Sequence, residues 1–361
     1  MSLGPITDVD DLRAYLRVAL QLEHATIPPY LLALYSIHPV TNVDASRILR
    51  VVAVEEMLHL TLVANLLNAI GGDPDLTAAG FVPAYPTHLP DGETDFEVSL
   101  RPFSKEAVGT FLQIERPASI GGDDIGFVER DRSSKALVPA FTHEDGTDLH
   151  FYSIGEFYQA VDQAIRRLHD EMEGRGEKLF CGDPARQVTP DFYYSGGGEI
   201  IAVVDVDSAC AAIHLISEQG EGLGGAIYDD EAELSHYYRF EQLMLGRYYL
   251  PGDEAGAPSG PTFDVDWTAV YPVKVDARLD DYAEGSELRD AVVRFADAYA
   301  AFLAHLTEAF TGRPDLLEPA VAEMFRIKEL MTQIVRNPLP GTDGVHAAPI
   351  FGALEPADPA R

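Results

Sequence analysis

A chain of 361 residues with 46% apolar content has material for a sizeable core, in one large domain or two ordinary ones. Its formal net charge of −33 argues against nucleic-acid partners and anionic lipid surfaces, and favours solubility. Two cysteines (Cys181 and Cys210), no basic or apolar leader and no uninterrupted apolar run of roughly 18–20 residues argue against a disulfide framework, a thiolate metal site, a signal peptide and a membrane span, so a cytoplasmic setting is expected.

From Val9 to about Ile37 the pattern is helical: Leu12, Leu16, Ala19, Glu23 and Tyr30 share one face, and Asp8 or Asp10 can cap the start. Pro28 and Pro29 fall inside this pattern, and a kink or break is expected there because proline removes backbone donors. A second helix is expected from about Asp44 to Ile70, stopping at Gly71-Gly72, so the first two helices form an antiparallel hairpin. Residues 73–150 read as a long irregular insertion, with strand-like alternation in "DFEVSLRPF" and a short helix in "SKEAVGTFLQIE". Further helices are expected over 153–172, 207–219 and 230–249, with a second irregular excursion at about 175–200. Residues 251–285 are loose, 286–310 and 317–336 read as a closing helix pair, and the last 25 residues as irregular.

The apolar run "VVAVEEMLHLTLVANLLNAI" carries two carboxylates and an imidazole, and buried ionic groups need partners. Positions three apart on a helix differ by about 60° around its axis, so Glu56 and His59 project from one face, together with Val52 and Val63. Glu23 points inward from the first helix, and Glu233 with His236 repeats the Glu-x-x-His spacing ahead of Phe240 and Leu243. Two such pairs with extra inward carboxylates match the dinuclear iron or manganese sites of four-helix bundles, where anionic oxygens and one imidazole per ion leave room for dioxygen or substrate.

For the fourth carboxylate Glu156, Glu218 and Glu221 all stay open. Structural alternatives exist for several of these residues. Ser153-x-x-Glu156 and Asp230-x-x-Glu233 can each be a capping box, the latter leaving Glu233 facing solvent. Glu55, four residues before His59, can replace Glu56 or pair with a basic group. His24 reads as a core histidine or a support for the site, and His214 and His305 as packing.

The stretches "LEHATIPPYLLALYSI", "VVAVEEMLHLTLVANLLNAIGGDP", "SIGEFYQAV", "EQGEG" and "ELSHYYRF" resemble the ferritin-like domain of the iminophenyl-pyruvate dimer synthases, over roughly residues 10–250. Those enzymes couple oxidised tryptophan units on the way to violacein- and rebeccamycin-type bisindoles, and they are larger chains. The resemblance implies a ferritin-like bundle and a metal set of Glu23, Glu56, His59, Glu156, Glu233 and His236, joined by Glu221.

The expected fold is mainly α: a ferritin-like four-helix bundle over residues 1–250 with insertions at about 73–150 and 175–200, small β elements, and a C-terminal helical extension over 251–361. The expected function is a non-haem dinuclear-metal oxidoreductase acting with dioxygen or peroxide on a small organic substrate in secondary metabolism. The alternative is a metal-free or metal-storing scaffold that partners a biosynthetic enzyme. Two divalent ions are expected, iron ahead of manganese. The expected partner is a small-molecule substrate, with a homodimer as one option and neither nucleic acid nor membrane. Tyr30, Tyr158 and Tyr237 are expected to line the cavity, roofed by the two insertions.

Overall fold

The computed structural model describes residues 5–90, 95–117, 141–142, 148–149, 151, 153–194, 196–222, 226–229, 232–352 and 354. Its first helix, α1 (Val9–Ser36), starts at Asp8, whose side chain accepts from the backbone N–H groups of Asp10 and Asp11 in a capping box. Helix α1 passes through Pro28 and Pro29 without a break. The N–H that Pro29 lacks would have reached the carbonyl of Ala25, and that carbonyl instead accepts from Tyr85 Oη at 2.7 Å. A long-range tyrosine therefore supplies a donor that the local sequence removed.

Helix α2 (Val43–Ala69) ends as its glycines predict. Gly71 adopts φ +71°, its N–H reaches the Asn68 carbonyl at 3.0 Å, and the N–H of Gly72 reaches Leu67 at 2.8 Å. These two bonds satisfy carbonyls of the last turn, and the left-handed position between them suits a residue without Cβ. Helix α2 is long and apolar enough to cross a membrane by composition alone, but most of it is buried inside the fold.

Helices α4 (Ile154–Glu173) and α5 (Val206–Gly220) complete a closed ring with the first pair: α1 packs on α2, α2 on α5, α5 on α4 and α4 on α1. Two shorter helices, α3 (Lys105–Ile114) and α6 (His236–Leu245), pack on each other and touch the ring through α1, α2 and α5. The closing pair, α7 (Glu287–Phe310) and α8 (Leu317–Val335), lies against α2 and α1 respectively.

Two expectations change. The segment expected as a helix over 230–249 is helical only from His236 to Leu245, and α5 closes the ring instead. The turn ahead of α6 is held by Asp229, whose Oδ1 accepts from the Glu233 N–H at 2.6 Å, and Ala232 has φ +62°. Within "DFEVSLRPF", Val98 makes only an isolated bridge to Thr87, so no strand forms there. The β structure among the described residues is a two-residue antiparallel pair, β1 (Phe141–Thr142) with β2 (Asp148–Leu149), and the insertion at 118–140 lies outside the described residues.

Candidate metal centre

Glu23 on α1 and Glu56 and His59 on α2 meet inside the ring, each no more than 3% exposed. The fourth and fifth members arrive from the outer helix pair. Glu115 caps the C-terminus of α3 and His236 opens α6, and both are buried. Their donor atoms form two groups, Glu23–Glu56–His59 and Glu56–Glu115–His236, within which all donors lie inside 4.8 Å of one another. Glu56 belongs to both groups. His59 Nδ1 stands 3.4 Å from Glu23 Oε2 and 3.9 Å from Glu56 Oε1; His236 Nδ1 stands 2.9 Å from Glu56 Oε1 and 3.5 Å from Glu115 Oε2. The two rings stack with centroids 5.4 Å apart.

Each carboxylate is held from behind by a hydroxyl. Tyr158 Oη on α4 donates to Glu23 Oε1, Tyr30 Oη donates to Glu115 Oε1 at 2.5 Å, and Thr26 Oγ1 donates to Glu56 Oε2 at 2.8 Å. The imidazoles are oriented in the same manner. The amide nitrogen of Gln219 donates to the Gly197 carbonyl at 2.9 Å, which turns its oxygen toward His59 Nε2, also at 2.9 Å. His59 Nε2 therefore holds a proton, and Nδ1 is the nitrogen turned to the cluster. Gly197, at φ +80°, brings its backbone so close to α2 that a Cβ would lie 2.9 Å from the Glu55 Cα. At His236, Nε2 faces Glu55 Oε2 at 2.9 Å, an acceptor only, so Nε2 holds a proton and Nδ1 is again the nitrogen turned to the cluster.

Electrostatics show why protons alone serve this cluster poorly. Burial pushes the Glu56 carboxyl up to about 7; the Glu115 and Glu23 carboxylates add to the rise and His236 opposes it. Burial works against protonating His236 and His59, but the surrounding carboxylates overcome it and raise both. Three carboxylates crowd into one dry space, and His236 Nδ1 makes no hydrogen bond of acceptable geometry despite its near neighbours. A cation would replace those protons, and the carboxylate and imidazole donors of each group could hold one. The free space beside them is small, about 10 Å³, and is bordered by Gly155, Ile216, Gly220 and Glu221. It has room for ions or a water but not for an organic ring.

Of the residues expected from sequence, Glu23, Glu56, His59 and His236 come together. Glu221 borders the cavity, buried, with its Oε1 accepting from the Gly155 N–H at 2.8 Å. Glu156 lies at the start of α4, half-buried and outside both groups, with its N–H bonded to the Ser153 hydroxyl at 3.1 Å. Glu218 pairs with His214 at 3.3 Å. Glu233 is exposed and pairs with Arg239 at 2.9 Å, so it does not face inward; its Glu-x-x-His spacing spans a turn and not a helix. Glu115 stands where that carboxylate was expected. Glu55 does not replace Glu56 but pairs with a basic group, Arg239 at 3.3 Å, and backs His236. Tyr30 and Tyr158 support carboxylates instead of lining the cavity, and Tyr237 packs on Tyr238. His24 is buried against Phe81 and Tyr299.

The chain is 27% identical over 331 residues to the dichlorochromopyrrolate synthase of Lentzea aerocolonigenes, covering 83% of this chain and 29% of that protein. It is 27% identical over 198 residues to the 2-imino-3-(indol-3-yl)propanoate dimerase of Chromobacterium violaceum, covering 53% of this chain and 16% of that protein. It thus spans less than a third of the length of either relative. Among solved structures, a ferritin-like protein from Caulobacter vibrioides superposes with a TM-score of 0.63 at 24% identity, over 96% of this chain and 100% of the other, and shows the same fold. The Ferritin-like family model matches residues 16–245, more than half of the chain, so the chain belongs to the Ferritin-like family.

Proposed function

We propose that this protein is a non-haem dinuclear-metal oxidoreductase that acts with dioxygen or peroxide on a small organic substrate in secondary metabolism. The observation that carries the reading is the pair of buried carboxylate–imidazole groups sharing Glu56. Glu23, Glu56 and His59 would hold one ion and Glu56, Glu115 and His236 the other, iron ahead of manganese. Bound there, such ions would relay electrons from the substrate to dioxygen or peroxide, which is reduced as the substrate is oxidised. The chain's own part is positioning: Tyr158, Tyr30 and Thr26 fix the carboxylates. Because the free space is small, an organic substrate would approach from the side of Gly155, Ile216 and Gly220. Similarity to a synthase and a dimerase of biosynthetic character supports the assignment to secondary metabolism.

The same reading includes a division near residue 250 into a metal-binding bundle and a C-terminal helical extension, a cytoplasmic setting, and a homodimer as one option. Metal content per chain, measured by mass spectrometry on untagged protein from iron-supplemented cells, tests the centre. About two ions per chain are expected from the two donor groups, and both are lost in Glu56→Ala. His236→Ala loses at least one. No metal in the wild type, even after reconstitution with Fe(II) or Mn(II), overturns the reading and leaves a scaffold.

A further inference from the structure

The two halves of the centre are built almost alike. They share Glu56, each adds one carboxylate held by a tyrosine hydroxyl, and each presents one imidazole Nδ1. They differ in what stands behind the imidazole. His59 Nε2 donates to the neutral amide oxygen of Gln219, and His236 Nε2 donates to the buried carboxylate of Glu55, both at 2.9 Å. A carboxylate draws on the Nε2 proton more strongly than an amide does, and so makes the opposite nitrogen the better electron donor. Glu55 is 2% exposed, so solvent does little to screen it. Arg239 offsets part of this charge, but it approaches Oε1 at 3.3 Å, the oxygen that does not face the imidazole, and it is shared with Glu233.

We propose that the two ion positions are unequal: Glu55 is a positioning residue that makes Glu56–Glu115–His236 the tighter half, filled first, and Gln219 leaves Glu23–Glu56–His59 the weaker half, filled second. This rests on the dinuclear reading of the centre. An asymmetric pair has a functional use, since one ion is retained while the other position exchanges or opens to a small molecule.

Titration of the metal-stripped full chain with Mn(II), followed by loss of the free aqua-ion paramagnetic resonance signal, reads both steps directly. Two steps about 10-fold or more apart are expected, with spin coupling only beyond one equivalent. Glu55→Gln should weaken the first step by roughly 10–100-fold, the range for partners that orient a metal-bound histidine, and bring the two steps together. Gln219→Glu should tighten the second step. Glu23→Ala should keep the tight step and Glu115→Ala should lose it, which assigns the halves. Two indistinguishable steps in the wild type, or a Glu55→Gln effect equal on both, overturn the inequality while the dinuclear centre stands. If Glu55→Gln fails to fold by circular dichroism, an unchanged second step in Gln219→Glu overturns it as well. No Mn(II) uptake by the folded wild type overturns the centre itself, and the inequality with it.

Discussion

Glu115 and Glu233 exchange the parts that their local sequences suggest. Glu233 has a histidine three positions on, yet it faces solvent beside Arg239; Glu115 has no such neighbour, yet it is buried against Tyr30 and His236. Glu115→Ala is accordingly expected to lower bound metal from about two ions to about one, from the loss of one donor group, whereas Glu233→Ala leaves it unchanged; elemental analysis of both variants checks this. His24 yields a prediction about acid stability. Its buried imidazole has a pKa lowered to about 3, because burial denies the charged ring its hydration. The unfolded chain takes up that proton near 6.5, so the contribution to stability is complete above pH 6.5 and is lost as pH falls toward 3. Over the whole window this amounts to something on the order of 3–5 kcal/mol. His24→Asn offers a polar group to Tyr299 without titrating, and its unfolding free energy should fall less steeply between those limits in urea titrations at stepped pH.

At the scale of elements, Tyr85 is the test of how α1 survives its two prolines. Tyr85→Phe leaves the Ala25 carbonyl buried without its donor and should cost about 1–3 kcal/mol, read as a lower urea midpoint with an unchanged slope. The long helices were legible because their signals are local. The apolar faces of α1 and α2, the Asp8 cap and the Gly71-Gly72 stop all lie within a few residues of what they control. Glu23, Glu56, His59 and His236 could be read for the same reason, as polar residues on apolar stripes. The rest of the centre depends on contacts remote in sequence: Tyr30 reaches Glu115 across 85 positions, and Gln219 reaches His59 across 160. Nothing in "FLQIERP" marks its glutamate as different from one at any helix end. The Asp229 side chain accepts from the Glu233 N–H ahead of α6, so Glu233 lies on a loop and only His236 faces the cluster.

For the whole molecule, a net charge of −33 means that the folded surface repels itself. Raising salt from about 10 mM to about 1 M shortens the Debye length from roughly 30 Å to 3 Å, so the melting temperature should rise with salt while the number of bound ions stays constant. A melting temperature that falls with salt would mean that surface ion pairs outweigh this repulsion. The centre also has a mechanical side. Glu23, Glu56 and His59 belong to the ring of α1, α2, α4 and α5, whereas Glu115 and His236 belong to the α3–α6 pair laid across it. Metal held by these residues would therefore tie the α3–α6 pair to the ring. Chelation should quicken hydrogen exchange in α3 and α6 well before it reaches α4 and α5. The metal would fasten this architecture as well as serve its chemistry.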